Sequence, residues 1–146
     1  MGSALRKVED TNIYIGNMKE AMDEQLLREH NIKAILNVSD LSVGSNIPGI
    51  AQFWVKMSDP LTGLAPDNPL TEAVAVLSLA RSFAERHGGN VLVHCVHGHN
   101  RSALTAAIWL MDYDKRHIPL KDAVRMTQVK DNKPWMKQFG LIWDKE

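Results

Sequence analysis

The chain has 146 residues, of which 45% are hydrophobic and 23% charged, as in an ordinary globular domain. Seventeen Lys and Arg residues balance 17 Asp and Glu residues, so no overall field favours nucleic acid or an anionic membrane as a partner. No apolar run approaches the roughly 20 residues of a spanning helix, and the start MGSALRKVED lacks the apolar core of a secretory signal. We therefore expect one domain over residues 1–146 and no association with a membrane.

Short strands and helices alternate through the first third of the chain. The segment NIYIG, residues 12–16, is typical of a strand, and MKEAMDEQLLREH, residues 18–30, carries apolar residues at helical spacing. Two apolar runs, AILNV at 34–38 and FWVKM at 53–57, predict buried strands.

A loop with three prolines, SDPLTGLAPDNP, separates these elements from the longest predicted helix. Asp67 or Asn68 is expected to cap that helix, with Pro69 in its first turn. The helical pattern then runs through LTEAVAVLSLARSFAERH and stops at Gly88 and Gly89.

The second half of the chain continues the alternation. VLVH, residues 91–94, reads as a buried strand, and RSALTAAIWLMDY, residues 101–113, has helical periodicity. LKDAVRMTQVKD and PWMKQFGLIW predict two more helices, at 120–131 and 134–143. This order predicts a single α/β domain with a mostly parallel sheet of about four or five strands, flanked by helices.

The stretch VLVHCVHGHNRSAL contains the only cysteine of the chain, Cys95, between the buried strand and the helix. Backbone N–H groups of such a loop, together with the helix N-terminus, form an anion site that suits a phosphate. A thiol in that field loses its proton readily. Gly98 lets an oxygen approach closely, and Arg101 can hold two phosphate oxygens with its planar fork. The stretch therefore predicts a cysteine nucleophile facing a bound phosphoryl group.

The pattern Cys95-(five residues)-Arg101-Ser102, with His94 before it, resembles the signature of the cysteine-dependent protein tyrosine phosphatase superfamily, and most of all its small, atypical dual-specificity group. NIYIGNMKEAMDEQLLREHNIKAILNV resembles that group's opening strand, helix and strand, and DNKPWMKQFGLIW its closing helix. The resemblance extends over most of residues 12–143.

The resemblance implies that Cys95 attacks phosphorus and that Arg101 binds the phosphoryl oxygens. It implies further that Ser102 donates a hydrogen bond to the sulfur and that His94 orients the loop. The backbone amides of the phosphate loop would hold the same oxygens; these residues are Val96, His97, Gly98, His99, Asn100 and Arg101. No cofactor and no metal ion is expected to take part.

The resemblance also requires a carboxylic acid that protonates the leaving oxygen and then activates water. We predict that this acid is Asp59, which follows the strand FWVKM as the family's acid does. Asp67 is the alternative, although an aspartate at a helix start has an ordinary capping role. Asp59 before a proline could also simply form a turn.

The predicted function is a phosphatase for phosphotyrosine, phosphoserine and phosphothreonine, with a phosphorylated protein as substrate. An RNA 5′-triphosphatase or a phosphoinositide phosphatase on the same fold is the alternative, because the loop residues HGHNR also resemble those of RNA triphosphatases. Nucleic acid is otherwise not an expected partner. A phosphate-binding adaptor without turnover is the non-enzymatic alternative, and a metal site in HCVHGH is a third interpretation of the loop.

A single cysteine cannot form an internal disulfide, which suits a reducing compartment. We expect a monomer in the cytoplasm, with the nucleus as the alternative location.

Overall fold

The structure, a computed structural model, describes residues 5–42, 46–57, 69–96 and 101–129. Five strands form one sheet, and their bounds are β1 Arg6–Lys7, β2 Ile13–Gly16, β3 Ile32–Asn37, β4 Ala51–Trp54 and β5 Asn90–His94. The helices are α1 Met18–Ala21, α2 Glu24–Glu29, α3 Leu70–Arg86, α4 Arg101–Asp112 and α5 Leu120–Thr127. None of the helices in these described ranges is long and apolar enough to cross a bilayer.

The order of the strands across the sheet is β1-β2-β5-β3-β4. Strands β2, β5, β3 and β4 are parallel, and only β1 is antiparallel to its neighbour β2. Strand β5 lies at the centre, and its sequence NVLVH is almost continuously apolar because both faces of the sheet are covered. The prediction of a mostly parallel sheet of four or five strands flanked by helices is confirmed.

Helices cover both faces of the sheet. The helices α3 and α4 pack on one face against the central strands, and α5 packs on α4. The larger core lies there, and Val91 and Val93 of β5 point into it. Leu92, between them, points to the other face, where a smaller core is closed by Ala21 and Leu27 of the two short helices. This alternation follows from the two-residue period of a strand.

Several element bounds differ from the predictions. The predicted helix over residues 18–30 is two helices, because Asp23 caps α2 by accepting a hydrogen bond from the Leu26 N–H at 3.1 Å. The strand predicted at 53–57 lies earlier, at Ala51–Trp54. Strand β1 was not predicted, since two residues carry no periodicity.

The helix ends show the same kind of difference. Pro69 occupies the N-cap position of α3 rather than its first turn. The helix predicted over 120–131 ends at Thr127, because Gln128 adopts a left-handed conformation with φ of 59°. By contrast, α3 ends before Gly88 as predicted, and Gly88 has a φ of +74°. The helix predicted at 134–143 lies outside the described residues.

Candidate active site

Cys95 lies directly after the central strand, at the carboxyl edge of the sheet, and its side chain is buried. Neighbouring elements hold the chain on both sides of it. The Val38 N–H donates to the His94 carbonyl at 2.9 Å, and the Met18 N–H of α1 donates to the Val96 carbonyl at 3.1 Å. The sulfur is therefore held at the edge where α/β sheets bind ligands.

Ser102 brings a hydroxyl to this sulfur. The Ser102 Oγ lies 3.3 Å from the Cys95 Sγ, and both side chains are buried. Ser102 is the second residue of α4, so the sulfur faces the N-terminal turn of a twelve-residue helix. The unpaired amides and the dipole of that turn favour negative charge on the sulfur.

Arg101 is the first residue of α4 and is 5% exposed. Its Nη1 donates to the Met57 carbonyl at 2.9 Å and to the Asp40 carboxylate at 3.3 Å. Its Nε is buried and has no acceptor among the described residues. The guanidinium is thus held in place through Nη1, while its Nε–H is still able to donate a hydrogen bond. This arrangement is suited to binding an oxyanion.

The loop after β3 supplies the carboxylate of Asp40. Asn37, the last residue of that strand, accepts hydrogen bonds from the Ser39 N–H at 2.9 Å and the Ser39 hydroxyl at 2.7 Å. The Asn37 Nδ2 donates to the Leu41 carbonyl at 2.7 Å. This buried network fixes the backbone on both sides of Asp40, so its carboxylate is presented to Arg101 by a rigid turn.

His94 is completely buried, and burial lowers the pKa of its imidazole to about 4. The hydrogen bond to the backbone carbonyl of Cys95 raises this pKa, but by less than burial lowers it. The ring is therefore neutral near pH 7. Its Nδ1 lies 3.2 Å from the Cys95 carbonyl oxygen, which can only accept, so Nδ1 carries the proton. A neutral, buried ring bonded to the backbone is suited to orienting the loop.

Arg6 of β1 is a second cation near the sulfur. It pairs in register with Ile15, one residue before the end of β2, and its Nη1 donates to the Thr127 carbonyl at 2.9 Å. Burial lowers the pKa of the Arg6 guanidinium, whereas the negative charges of Glu20 and Cys95 raise it. The interaction is mutual, so Arg6 favours the ionised form of the Cys95 thiol.

Sequence reasoning named Cys95, Arg101, Ser102, His94 and Val96, and the structure brings these residues together at the end of β5. It missed Asp40, Arg6 and the Met57 carbonyl. One signal pointed to Asp40, since polar residues directly after a buried parallel strand lie at the ligand-binding edge. The remaining predicted site residues lie outside the described ranges; they are Asp59, Asp67, His97, Gly98, His99 and Asn100.

Comparison with known proteins identifies the family of this site. Residues 13–142 match the family model described as the catalytic domain of dual specificity phosphatases. The chain belongs to the dual-specificity phosphatase family. It is therefore a cysteine-based, metal-independent protein phosphatase by family, and its substrate class is phosphorylated protein. The alternatives of an RNA 5′-triphosphatase and a phosphoinositide phosphatase are not favoured by these matches.

Individual relatives agree with this assignment. Human dual specificity phosphatase 28 is 29% identical over 132 residues, which are 90% of this chain and 70% of the relative. The mouse protein of that name is 32% identical over 99 residues, 68% of this chain and 58% of its own length. A crystal structure of a variant of the human protein superposes with a TM-score of 0.78 at 25% identity, covering 96% of this chain and 94% of the other.

A third relative is a mouse protein assigned as a dual specificity phosphatase and crystallised as a complex with zinc tungstate. It has a TM-score of 0.78 and 27% identity, and the match covers 97% of this chain and 87% of the other. Among the described residues of the present chain, no group of three or more His, Cys, Asp or Glu side chains could hold a metal ion.

Proposed function

We propose that this chain hydrolyses phosphate monoesters of phosphotyrosine, phosphoserine and phosphothreonine in proteins through a cysteinyl-phosphate intermediate. One observation carries the proposal: the Cys95 sulfur lies 3.3 Å from the Ser102 hydroxyl at the junction of β5 and α4, and the buried Arg101 is the first residue of that same helix. The mouse relative was crystallised with tungstate, a tetrahedral oxyanion with the shape of phosphate, and this supports the proposal.

In the first step the Cys95 thiolate attacks phosphorus and an S–P bond forms as the bond to the leaving oxygen breaks. Arg101 binds the phosphoryl oxygens, and its buried Nε supplies a donor that has no other acceptor among the described residues. The leaving alkoxide or phenoxide takes a proton from a carboxylic acid, for which Asp59 is the candidate and Asp67 the alternative. Because Arg101 is already positioned by Met57, little reorganisation is needed.

In the second step water attacks phosphorus, the S–P bond breaks, and inorganic phosphate forms. The carboxylate that gave up its proton now accepts one from the water. The sulfur leaves as a thiolate, and the Ser102 hydroxyl at 3.3 Å stabilises it by donating a hydrogen bond. The neutral His94 ring holds the Cys95 carbonyl through both steps and moves no proton.

The proposal includes a monomeric enzyme in the cytoplasm, or in the nucleus, and a site that accepts both aryl and alkyl phosphates. The reducing environment there keeps the single thiol available.

The decisive experiment compares wild type and Cys95→Ser on four substrates in the presence of a chelator. These are p-nitrophenyl phosphate, a phosphotyrosine peptide, a phosphothreonine peptide and 5′-triphosphate RNA. We expect wild type to hydrolyse the first three and Cys95→Ser to hydrolyse none. Exclusive activity on RNA would favour the triphosphatase, and inactive wild type that still binds phosphopeptide would favour the adaptor.

A further inference from the structure

Two apolar side chains lie exposed beside the active site. Trp54, at the end of β4, is 48% exposed, and Leu41, in the loop after β3, is 52% exposed. We call this pair the apolar ledge. Large apolar side chains that are exposed together beside a site often mark a surface that binds a ligand or another protein.

The register of the sheet places the ledge next to the catalytic loop. Trp54 pairs with Asn37, and Asn37 pairs with His94, so the three residues form one row across β4, β3 and β5. Strands lie about 4.8 Å apart, so the backbone of Trp54 is about 10 Å from that of His94. Cys95 follows His94 directly, and the ledge therefore borders the phosphate site.

The ledge is rigid, because the network that presents Asp40 also holds its two members. The Trp54 Nε1 donates to the Ser39 carbonyl at 2.9 Å, and the Leu41 N–H donates to the Ser39 hydroxyl oxygen at 3.2 Å. The one polar group of the indole is satisfied, so the exposed part of the ring is apolar. A side chain already fixed in place loses little conformational entropy when it binds.

We propose that the apolar ledge binds an apolar side chain of the phosphoprotein substrate, two residues away from the phosphorylated residue. In an extended segment residues i and i+2 point to the same side and lie about 7 Å apart, so the side chain at i+2 can reach a ledge whose Trp54 backbone lies about 10 Å from that of His94. Asp40 directly precedes Leu41 in the chain, follows the Ser39 that bonds to Trp54, and accepts a hydrogen bond from Arg101, so the ledge is continuous with the phosphate-binding arginine. The inference rests on the proposed function and adds a sequence preference to it.

The test uses two phosphotyrosine peptides that are identical except at the positions two residues before and two residues after the phosphotyrosine. Both of these positions are Leu in one peptide and Ser in the other. Wild type should show about 10-fold higher kcat/KM for the Leu peptide. Trp54→Ala should reduce this ratio to about 1. Trp54→Phe, which keeps an apolar ring but not the bond to Ser39, should retain most of the preference.

Tyr113 offers a matched control. It is equally exposed, at 48%, but follows the far end of α4, about 18 Å along the helix from Arg101. Tyr113→Ala should leave the ratio at its wild-type value. Equal kcat/KM for the two peptides with wild type would overturn the inference, as would a Trp54→Ala variant that keeps the full ratio.

Binding to the Cys95→Ser protein separates this inference from the proposed function. Preference of that protein for the Leu peptide, in the absence of any turnover by wild type, would contradict the phosphatase and leave the ledge in place. Turnover without any preference in kcat/KM or in affinity would contradict the ledge alone.

Discussion

The Nη1 of Arg101 lies 3.3 Å from the carboxylate of Asp40, so the arginine that is proposed to bind phosphate already faces an anion of the protein itself. The two side chains are unequal partners. That of Arg101 is 6% exposed, whereas that of Asp40 is 47% exposed and therefore partly solvated. The Met57 carbonyl holds the same nitrogen at 2.9 Å and keeps Arg101 in place without Asp40.

The Asp40→Asn variant should therefore bind anions more tightly. Replacing the carboxylate by an amide removes a negative charge that repels phosphate, and the effect is only about 2- to 5-fold because Asp40 is half exposed and screened. The measurement is the inhibition constant of inorganic phosphate at low and high salt, with the gain smaller at high salt. Asp122→Asn, the same change on exposed α5, serves as the control. Weaker inhibition by phosphate in Asp40→Asn would show that the carboxylate positions Arg101 instead.

Ser102→Ala should slow the second step more than the first. The hydroxyl at 3.3 Å stabilises the sulfur when it leaves, so its loss should lower kcat about 10-fold and cause the phosphoenzyme to accumulate. Rapid-quench kinetics with p-nitrophenyl phosphate should show a burst of nitrophenol near one equivalent. Ser102→Thr keeps a hydroxyl and should show a smaller burst. Absence of a burst, with kcat unchanged, would remove Ser102 from the mechanism.

Asp59→Asn should lower kcat about 100-fold on substrates with poor leaving groups, because they need a proton in the first step. Phenyl phosphate should lose much more activity than p-nitrophenyl phosphate, whose leaving group is a weaker base. Asp67→Asn is the matched comparison in the same loop. If that variant, and not Asp59→Asn, shows the leaving-group dependence, then Asp67 is the acid.

Arg6→Gln should make alkylation of Cys95 require a higher pH. The guanidinium favours the thiolate, and removing it weakens the field at the sulfur. The measurement is the rate of reaction with iodoacetamide between pH 4 and 9. Lys7→Gln, the next residue of β1, removes an equal charge from a more exposed position and should leave the profile nearly unchanged. Identical profiles for Arg6→Gln and wild type would exclude Arg6 from the site's electrostatics.

His94 should make the protein less stable in acid. Its pKa is about 4 in the folded state and about 6.5 when exposed, so the unfolded chain binds more protons between these values. The stabilisation from the neutral ring is complete above about pH 6.5 and is lost as the pH falls towards 4. Between pH 7 and pH 4.5 this contributes a loss of about 2–3 kcal/mol.

Urea unfolding at the two pH values measures this loss. His94→Asn should show a smaller difference between them than wild type, whatever its stability at pH 7. His87→Asn, at the exposed C-cap of α3, should behave as wild type. A His94→Asn variant with the full wild-type difference would mean that other groups cause the acid sensitivity.

The sequence alone predicted the elements whose pattern is long or continuous. The strand at β5 is apolar on both faces, and α3 and α4 repeat the helical period over several turns, so no tertiary information was needed to recognise them. The split between α1 and α2 was missed, because apolar spacing continues through Met22 while Asp23 starts a new helix. Propensity over two residues is too weak to define β1.

The same distinction holds for the site. Cys95, Arg101 and Ser102 lie within eight consecutive residues, so a strand, a turn and a helix start bring them together, and the motif was sufficient to predict them. Arg6 comes from β1, and Asp40 and Met57 follow β3 and β4, at 38 to 89 positions from Cys95 in the chain. Only the order β1-β2-β5-β3-β4 brings them to Arg101 and Cys95, because packing at the carboxyl edge depends on which strands are neighbours and not on their distance in sequence.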